Sequence, residues 1–433
     1  MSVHAISAEA ARAPASTRRK PLDGAWVLSL ATAASGVLAY LFTIVTARTL
    51  GATEYGLIGV LWASTFLIVV VLFRPLEQTT SRAVADRLAR GGSSVRSVLR
   101  AVLAMYLGTV ALIAVGSVAA WSAITNRLFE GESALTLALV VGVAGYGVAY
   151  LLRGLASGCG WFSGYGLLLL GDAGIRLVAV LPLIAVASVN LAAAAVAAAG
   201  IGSALLVLAF STARFRPLVR GADDGHFRVT RAFAFAAPAT VIAAADQILV
   251  NGGPVLVMVG GGSAETAGLV FAATMLIRIP VYLFTGLAAS LLPNFTRMNA
   301  ADDVARFRRG VLRTSSVLFA LGAATVLVAA AIGPVLLSSM YGSDYTASRV
   351  ELALLAAGVA FYLVAGTVSQ ALLALHSVAS AAGAWALSAL VFLGAYAVLS
   401  GDDLMRISES FALATAVAAI SLGAFLLWRL RRP

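Results

Sequence analysis

The sequence predicts an all-α polytopic membrane protein of about twelve transmembrane helices, arranged as two six-helix bundles in tandem. Three observations predict it: an extreme apolar composition, apolar runs of bilayer-spanning length, and connector charges that alternate and then repeat halfway along the chain.

Of the 433 residues, 61% are hydrophobic and 11% are charged, and mean hydropathy is +0.96. A soluble domain carries about 25% charged residues, so a water-soluble fold is excluded. The excess of 30 basic over 19 acidic residues falls in short loops between apolar runs, which encodes topology and not a nucleic-acid surface. Cys159 is the only cysteine, which excludes an intrachain disulfide or a thiolate metal cluster. There is no H-E-x-x-H motif and no phosphate loop, and His4, His226 and His376 are scattered. Neither a nucleotide-driven pump nor a metalloenzyme is supported, and no cofactor is expected.

The chain opens with a cytoplasmic tail, 1–25, in which Arg12, Arg18, Arg19 and Lys20 precede an apolar run. That run is too long for a signal-peptide core and reads as the first helix. Spanning stretches follow near 26–47, 57–79, 101–122, 134–156, 165–186 and 191–212, which make an N-terminal bundle over 26–212. A cytoplasmic linker, 213–232, carries Arg214, Arg216, Arg220, Arg228 and Arg231. The C-terminal bundle, 233–428, has stretches near 233–258, 269–291, 311–332, 350–374, 378–399 and 408–428, before a short tail, 429–433. Helices are required because lipid cannot satisfy an open backbone. Alternate connectors hold 23 basic residues on one side and only Arg48, Arg127, Arg349 and Arg406 on the other. The positive-inside rule then puts both termini in the cytoplasm of a multi-pass inner-membrane protein.

The halves also resemble each other. GATEYGLIGVLWAS from Gly51 matches GGSAETAGLVFAAT from Gly261, Ser97-Val-Leu-Arg100 matches Gly310-Val-Leu-Arg313, and GVAGYGVAYLL from Gly142 matches GVAFYLVAGTV from Gly358. Two halves that start on the same side are related by an axis along the membrane normal, the plan of transporters with a cavity between rocking bundles. One such plan, the major facilitator, needs a glycine-rich motif after the second helix. Asp86-Arg87 sits there, but Arg82 stands where that motif needs glycine.

The order of several motifs resembles the polysaccharide-exporter branch of the multidrug/oligosaccharidyl-lipid/polysaccharide flippase superfamily. These are TARTLGATEYG from Thr46, the connector opening at Ser81-Arg82, LLRGLASGCGWFSGYG from Leu151, ADQILV with Asp246, AETAGLVFAA, RIPVYLF from Arg278, and Pro293. The resemblance implies a V of two bundles around a central cavity. It also implies export of a polyprenyl-diphosphate-linked oligosaccharide from the inner to the outer leaflet, with polymerase and glycosyltransferases as partners. Relatives carry a peptidoglycan-precursor lipid or extrude cationic drugs, so a proton- or sodium-coupled multidrug exporter is the rival expectation. An enzyme would need a large polar loop with catalytic acids or histidines, and the longest outer connector offers only Asp344.

A diphosphate crossing a low-dielectric region needs fixed positive charge, and arginine pairs with phosphate oxygens while staying ionised. Arg278 and Arg176 lie near mid-depth in their apolar runs, and such charges face a cavity or a partner. Arg278 has no acid within a helical turn. Arg176 has Asp172 four residues before it, the spacing of a self-neutralising pair. Arg74 and Arg153 lie nearer the cytoplasmic interface, where snorkelling is the alternative. Arg48 ends the first helix on the outer side as an interface anchor or a cavity residue. Asp246, with Gln247 and Asn251 on the same stretch, is a coupling-ion or ion-pair candidate for a proton or sodium ion. The run Asn251-Gly252-Gly253-Pro254 is expected to break or kink its helix.

Overall fold

The computed structural model describes residues 21–90, 94–220, 229–300 and 303–431, which form fourteen α-helices and one 3-10 turn, with no strand among them. The first bundle holds α1 (Pro21–Leu50), α2 (Ala52–Ala89), α3 (Arg96–Ala119), the short α4 (Trp121–Leu128), α5 (Ser133–Gly158), α6 (Phe162–Val180) and α7 (Val189–Arg220). The second holds α8 (Val229–Val259), α9 (Ala264–Ile277), α10 (Ile279–Ala300), α11 (Val304–Tyr341), α12 (Arg349–Ala374), α13 (Val378–Val398) and α14 (Asp403–Leu430). The 1–20 part of the expected tail lies outside the described residues, as do 432–433. The linker 213–232 is shorter than expected, because α7 continues through Arg220 and α8 begins at Val229. Residues 221–228 lie outside the description.

The pairings of the first bundle recur in the second. Helix α1 packs on α6 as α8 packs on α13, α5 on α7 as α12 on α14, and α6 on α7 as α13 on α14. Outward faces stay apolar: Leu107, Leu112, Val115 and Val118 of α3 are exposed, as are Val317, Leu327 and Val335 of α11. Apolar side chains at such positions suit a lipid solvent, in which only the helical backbone can satisfy itself.

Eleven helices among the described residues are long and apolar enough to span a bilayer, where the sequence predicts about twelve. The difference is physical. The expected span at 269–291 is divided into α9 and α10, because Pro280 has no N–H to donate and its ring clashes with the carbonyl one turn back. The chain turns at Arg278, whose N–H donates to the Met275 carbonyl at 3.1 Å. Of the break or kink expected at Asn251-Gly252-Gly253-Pro254, the break does not occur: α8 runs as one helix through Pro238 and Pro254. Its two glycines let neighbours close on it: a Cβ at Gly252 would stand 3.3 Å from the Phe392 ring, and one at Gly253 3.1 Å from Val270. Packing holds α8 together where the sequence alone points to a break.

Helices α1, α2 and α4 of the first bundle meet α8, α9, α10 and α11 of the second. The tightest approach is backbone on backbone. A Cβ on Gly56 would stand 1.7 Å from the Ala264 carbonyl oxygen, and one on Gly268 would stand 2.9 Å from the Ala52 carbonyl oxygen. Only glycine allows this separation, as at close helix crossings in membranes. Around it, Tyr55 meets Phe271 at 5.7 Å and Tyr345 at 5.5 Å, and Trp62 meets Phe271 at 6.1 Å between ring centroids. Replacing Gly56 with Val is expected to force the bundles apart and to cost about 1–3 kcal/mol, the range for overpacking. A thermal melt in detergent reads this as a lowered midpoint. Gly108→Ala on α3, where a Cβ meets nothing within 4 Å, is expected to leave the midpoint unchanged or raised; equal midpoints for the two variants would contradict the contact.

Candidate functional site

From the glycine contact, α2 and α9 run into the seam between the bundles, carrying Arg74 and Glu77 on one side and leading to Arg278 on the other. Arg278 occupies the break between α9 and α10 and is 7% exposed. Its Nη1 donates to Asn251 Oδ1 at 3.1 Å, Asn251 Nδ2 donates to Gln247 Oε1 at 2.7 Å, and Gln247 Nε2 donates to Asp246 Oδ2 at 3.0 Å. The other carboxylate oxygen of Asp246 accepts from the Tyr362 hydroxyl at 2.5 Å. Two side-chain amides therefore separate a guanidinium from a carboxylate, with every dipole aligned from the donor charge to the acceptor charge. The spacing is built into α8, where Gln247 and Asn251 are four residues apart and share one helix face. Among the described residues Asn251 is the one hydrogen-bond partner of Arg278, which has five donors and borders a pocket lined mainly by apolar side chains, among them Leu249, Ile277, Val281, Val359 and Phe411, together with Tyr362.

The helix break also reaches across the seam. The Tyr40 hydroxyl of α1 donates to the Met275 carbonyl, one of the carbonyls at the interrupted end of α9. Tyr40 and Tyr282 pack edge to face at 5.7 Å.

A second cluster lies on the first bundle. Arg74 is exposed along the seam, within electrostatic reach of Glu77, Tyr150, Tyr165 and Asp246. The Tyr165 hydroxyl donates to Glu77 Oε1 at 2.8 Å. The Arg153 guanidinium lies 4.8 Å from the Tyr150 ring centroid, is 7% exposed, and has a buried Nε without a hydrogen-bond partner. Asp246 lies within reach of both Arg74 and Arg278. The seam thus brings Arg74 and Arg278 within reach of Asp246, while Arg153, buried in the first bundle, lies within reach of Glu77 and Asp172.

The remaining two arginines sit elsewhere. Arg176 is 2% exposed and pairs with Asp172 at 2.6 Å, while the Tyr146 hydroxyl donates to Asp172 Oδ1 at 2.6 Å and accepts from Arg176 at 2.5 Å. Its guanidinium lies 4.3 Å from the Trp62 ring centroid and 5.5 Å from that of Phe66. This is a sealed pin inside the first bundle, joining α2, α5 and α6, and not part of the seam cluster. Arg48 lies at the end of α1 and donates to the Met340 carbonyl at 2.9 Å and to the Ser339 carbonyl, at the end of the seam where Gly56 meets Ala264 and away from that cluster. Sequence reasoning did not single out Tyr40, Tyr150, Tyr165, Tyr282 and Tyr362, because a tyrosine in an apolar run reads equally as packing or interface. Glu77, one turn from Arg74, was the available signal for the first-bundle cluster. Among the described residues no group of three or more metal-ligating side chains occurs.

No protein-family model matches the chain. An uncharacterized protein of Mycobacterium tuberculosis is 28% identical over 362 residues, covering 82% of this chain and 79% of its own. A second from the same organism is 29% identical over 360 residues, covering 82% and 78%. The fold matches solved transporters. The inward-facing conformation of a multidrug resistance MATE family transporter of the MOP superfamily superimposes with a TM-score of 0.73 at 15% identity, over 91% of this chain and 94% of that one. The outward-facing conformation of such a transporter gives 0.69 at 15% identity, over 95% and 96%. A MOP superfamily transporter from Pyrococcus furiosus, described by a reversed polarity of its binding pocket that suggests a different function, gives 0.68 at 15% identity, over 95% and 96%.

Replacing Arg176 with Met strands a buried Asp172 carboxylate and is expected to cost about 3–5 kcal/mol, read as a large fall in melting midpoint. Pairing it with Asp172→Asn is expected to restore much of that loss. A double variant no more stable than the single one would contradict a sealed ion pair.

Proposed function

We propose that this chain, which has the fold of MATE family transporters of the MOP superfamily, is a flippase. In this reading it moves a polyprenyl-diphosphate-linked oligosaccharide from the cytoplasmic to the outer leaflet of the inner membrane by alternating access. The observation that carries the reading is the pair of seam arginines, Arg74 and Arg278, with Arg153 beside Glu77 in the first bundle; among the described residues none of the three is in a direct carboxylate ion pair, and Arg153 has an Nε without a hydrogen-bond partner. A guanidinium placed this way offers bidentate hydrogen bonds to phosphate oxygens. Its cost at membrane depth, about 2.5–3.5 kcal/mol on insertion scales, is offset when it faces a cavity or a bound anion. Glu77 and Asp246 keep the empty cavity near balance, so the substrate's charge decides the occupied state.

The work each residue does follows from its position. Arg74 and Arg153 meet the diphosphate at the cytoplasmic mouth, and Arg278, at the helix break, receives it deeper in the seam. The tyrosines of the seam offer sugar-facing aromatic surface and hydroxyl donors. The lipid tail stays against the apolar exterior. Asp246, with Gln247 and Asn251, is the coupling site for a proton or sodium ion, because neutralising it frees Arg278 electrostatically for the anion. The orientation, with termini in the cytoplasm, rests on the positive-inside count, and the polysaccharide polymerase and glycosyltransferases act before and after this step.

The rival reading is a proton- or sodium-coupled exporter of cationic drugs, and the observation that favours it is the pair of carboxylates, Glu77 and Asp246, beside aromatic rings. The two readings separate experimentally. Arg278→Ala and Arg74→Ala are each expected to slow export at least about tenfold, the scale of one lost charge-assisted contact. The lipid-linked intermediate is then expected to accumulate on the cytoplasmic face. Unimpaired export by both stably expressed variants, together with loss of drug resistance in Glu77→Gln or Asp246→Asn, would favour the drug exporter. If Asp246 is the coupling group, Asp246→Asn abolishes the dependence of transport on an imposed proton or sodium gradient; a dependence that survives removes it from that role.

A further inference from the structure

We propose that Glu130 and Arg48 form a latch that holds one end of the seam shut by capping two helix ends of the opposite bundle; the latch's purpose rests on the alternating-access reading. Glu130 belongs to the turn between α4 and α5. Its Oε1 accepts the Ala264 N–H, the first amide of α9, at 2.9 Å. That amide has no partner within its own helix, and the side chain of Ser263 is engaged with the Thr266 amide at 3.2 Å. Arg48 does the converse. Its guanidinium donates to the carbonyls of Met340 and Ser339, which belong to the last turn of α11 and have no intrahelical donor to accept. An anion thus meets the positive start of one helix and a cation the negative end of another, the favourable sense at both. Both bonds cross from the first bundle to the second, and both lie at the end where Gly56 and Gly268 touch.

The backbone at Glu130 supplies independent support. Gly131 N–H donates to the Thr125 carbonyl at 3.0 Å, closing the end of α4 through two successive left-handed residues, Glu130 with φ 49° and Gly131 with φ 96°; such positions normally fall to glycine or asparagine. A side chain longer than asparagine at positive φ is locally unfavourable. What its carboxylate bonds to is the other bundle. Local structure therefore prefers a glycine, and the glutamate answers to a requirement across the seam.

When the bundles part at this end, both helix ends lose their caps. Such a cap changes an equilibrium by a factor of about two to five, small enough for substrate or ion binding to reverse. The latch biases the closed state without locking it.

The test uses the full chain in lipid nanodiscs, with Cys159→Ser and spin labels at Ala123 on α4 and Arg349 on α12, both exposed. Distances come from double electron–electron resonance. Glu130→Gly and Arg48→Gln are each expected to raise the ratio of the open, long-distance population to the closed one about two- to fivefold. The double variant is expected to raise it about tenfold, since the two caps contact different helices. Glycine suits φ 49°, so Glu130→Gly is expected to melt no lower than its parent, which separates a lost latch from a damaged fold. Unchanged distances in both folded variants would overturn the latch. Shifted distances in a chain that moves no lipid-linked substrate support the latch and count against the transport reading alone.

Discussion

The contact between Gly56 and Gly268 fixes where the two bundles touch and, by extension, where everything else in the seam stands. The absence of a Cβ brings two backbones together that any other residue would hold apart by the width of a side chain. Since α2 and α9 leave this point side by side, the polar groups that follow on each are delivered to one shared space. Arg74 and Glu77 come from α2, and Arg278 comes from the end of α9. The aromatic rings of Tyr55, Trp62 and Phe271 fill the corners around the glycines, so this end is closely packed while charge collects farther along.

Charge within the membrane-spanning part is handled in two different ways, and the difference divides structure from function. Arg176 is neutralised on the spot by Asp172, completed by Tyr146 and enclosed by rings, so that its unpartnered nitrogen, Nε, is buried away from any ligand. Arg278 is instead joined to Asp246 through two amides, and Arg74 has no ion pair at all among the described residues. A guanidinium that is held but not neutralised keeps its attraction for an anion, while a nearby carboxylate limits the cost of the empty state. In the transport reading proposed above, release of the cargo needs such intermediate binding. Full neutralisation would abolish recognition, and an uncompensated cluster would retain the substrate.

Much of this was legible in the sequence because the signals are one-dimensional. Spanning helices follow from runs of apolar residues, and the ion pair of Arg176 from the four-residue spacing to Asp172. The helix break was not. Pro254 and Pro280 each remove a donor from an apolar helix, yet only the second interrupts it. At Gly252 and Gly253 the neighbouring Phe392 and Val270 pack tightly on α8, whereas at the second site Tyr40 of the other bundle takes up the Met275 carbonyl. Both outcomes are set by residues far away in the chain. The same holds for Arg48, whose place at a helix end allowed an interface anchor or a cavity position until its carbonyl partners in α11 were known. The tyrosines of the seam carry no sequence pattern of their own; they gain meaning from the arginines and carboxylates they face.

The central claim is that the seam selects an anionic, lipid-borne cargo. The most direct measurement is equilibrium binding of a polyprenyl diphosphate to the purified chain in nanodiscs, in competition with a lipophilic cation. The diphosphate is expected to bind, to weaken with added salt, and to lose its affinity when Arg74, Arg153 and Arg278 are replaced together by Gln. A chain that binds the cation and ignores the diphosphate, with the triple variant unchanged, would contradict the account.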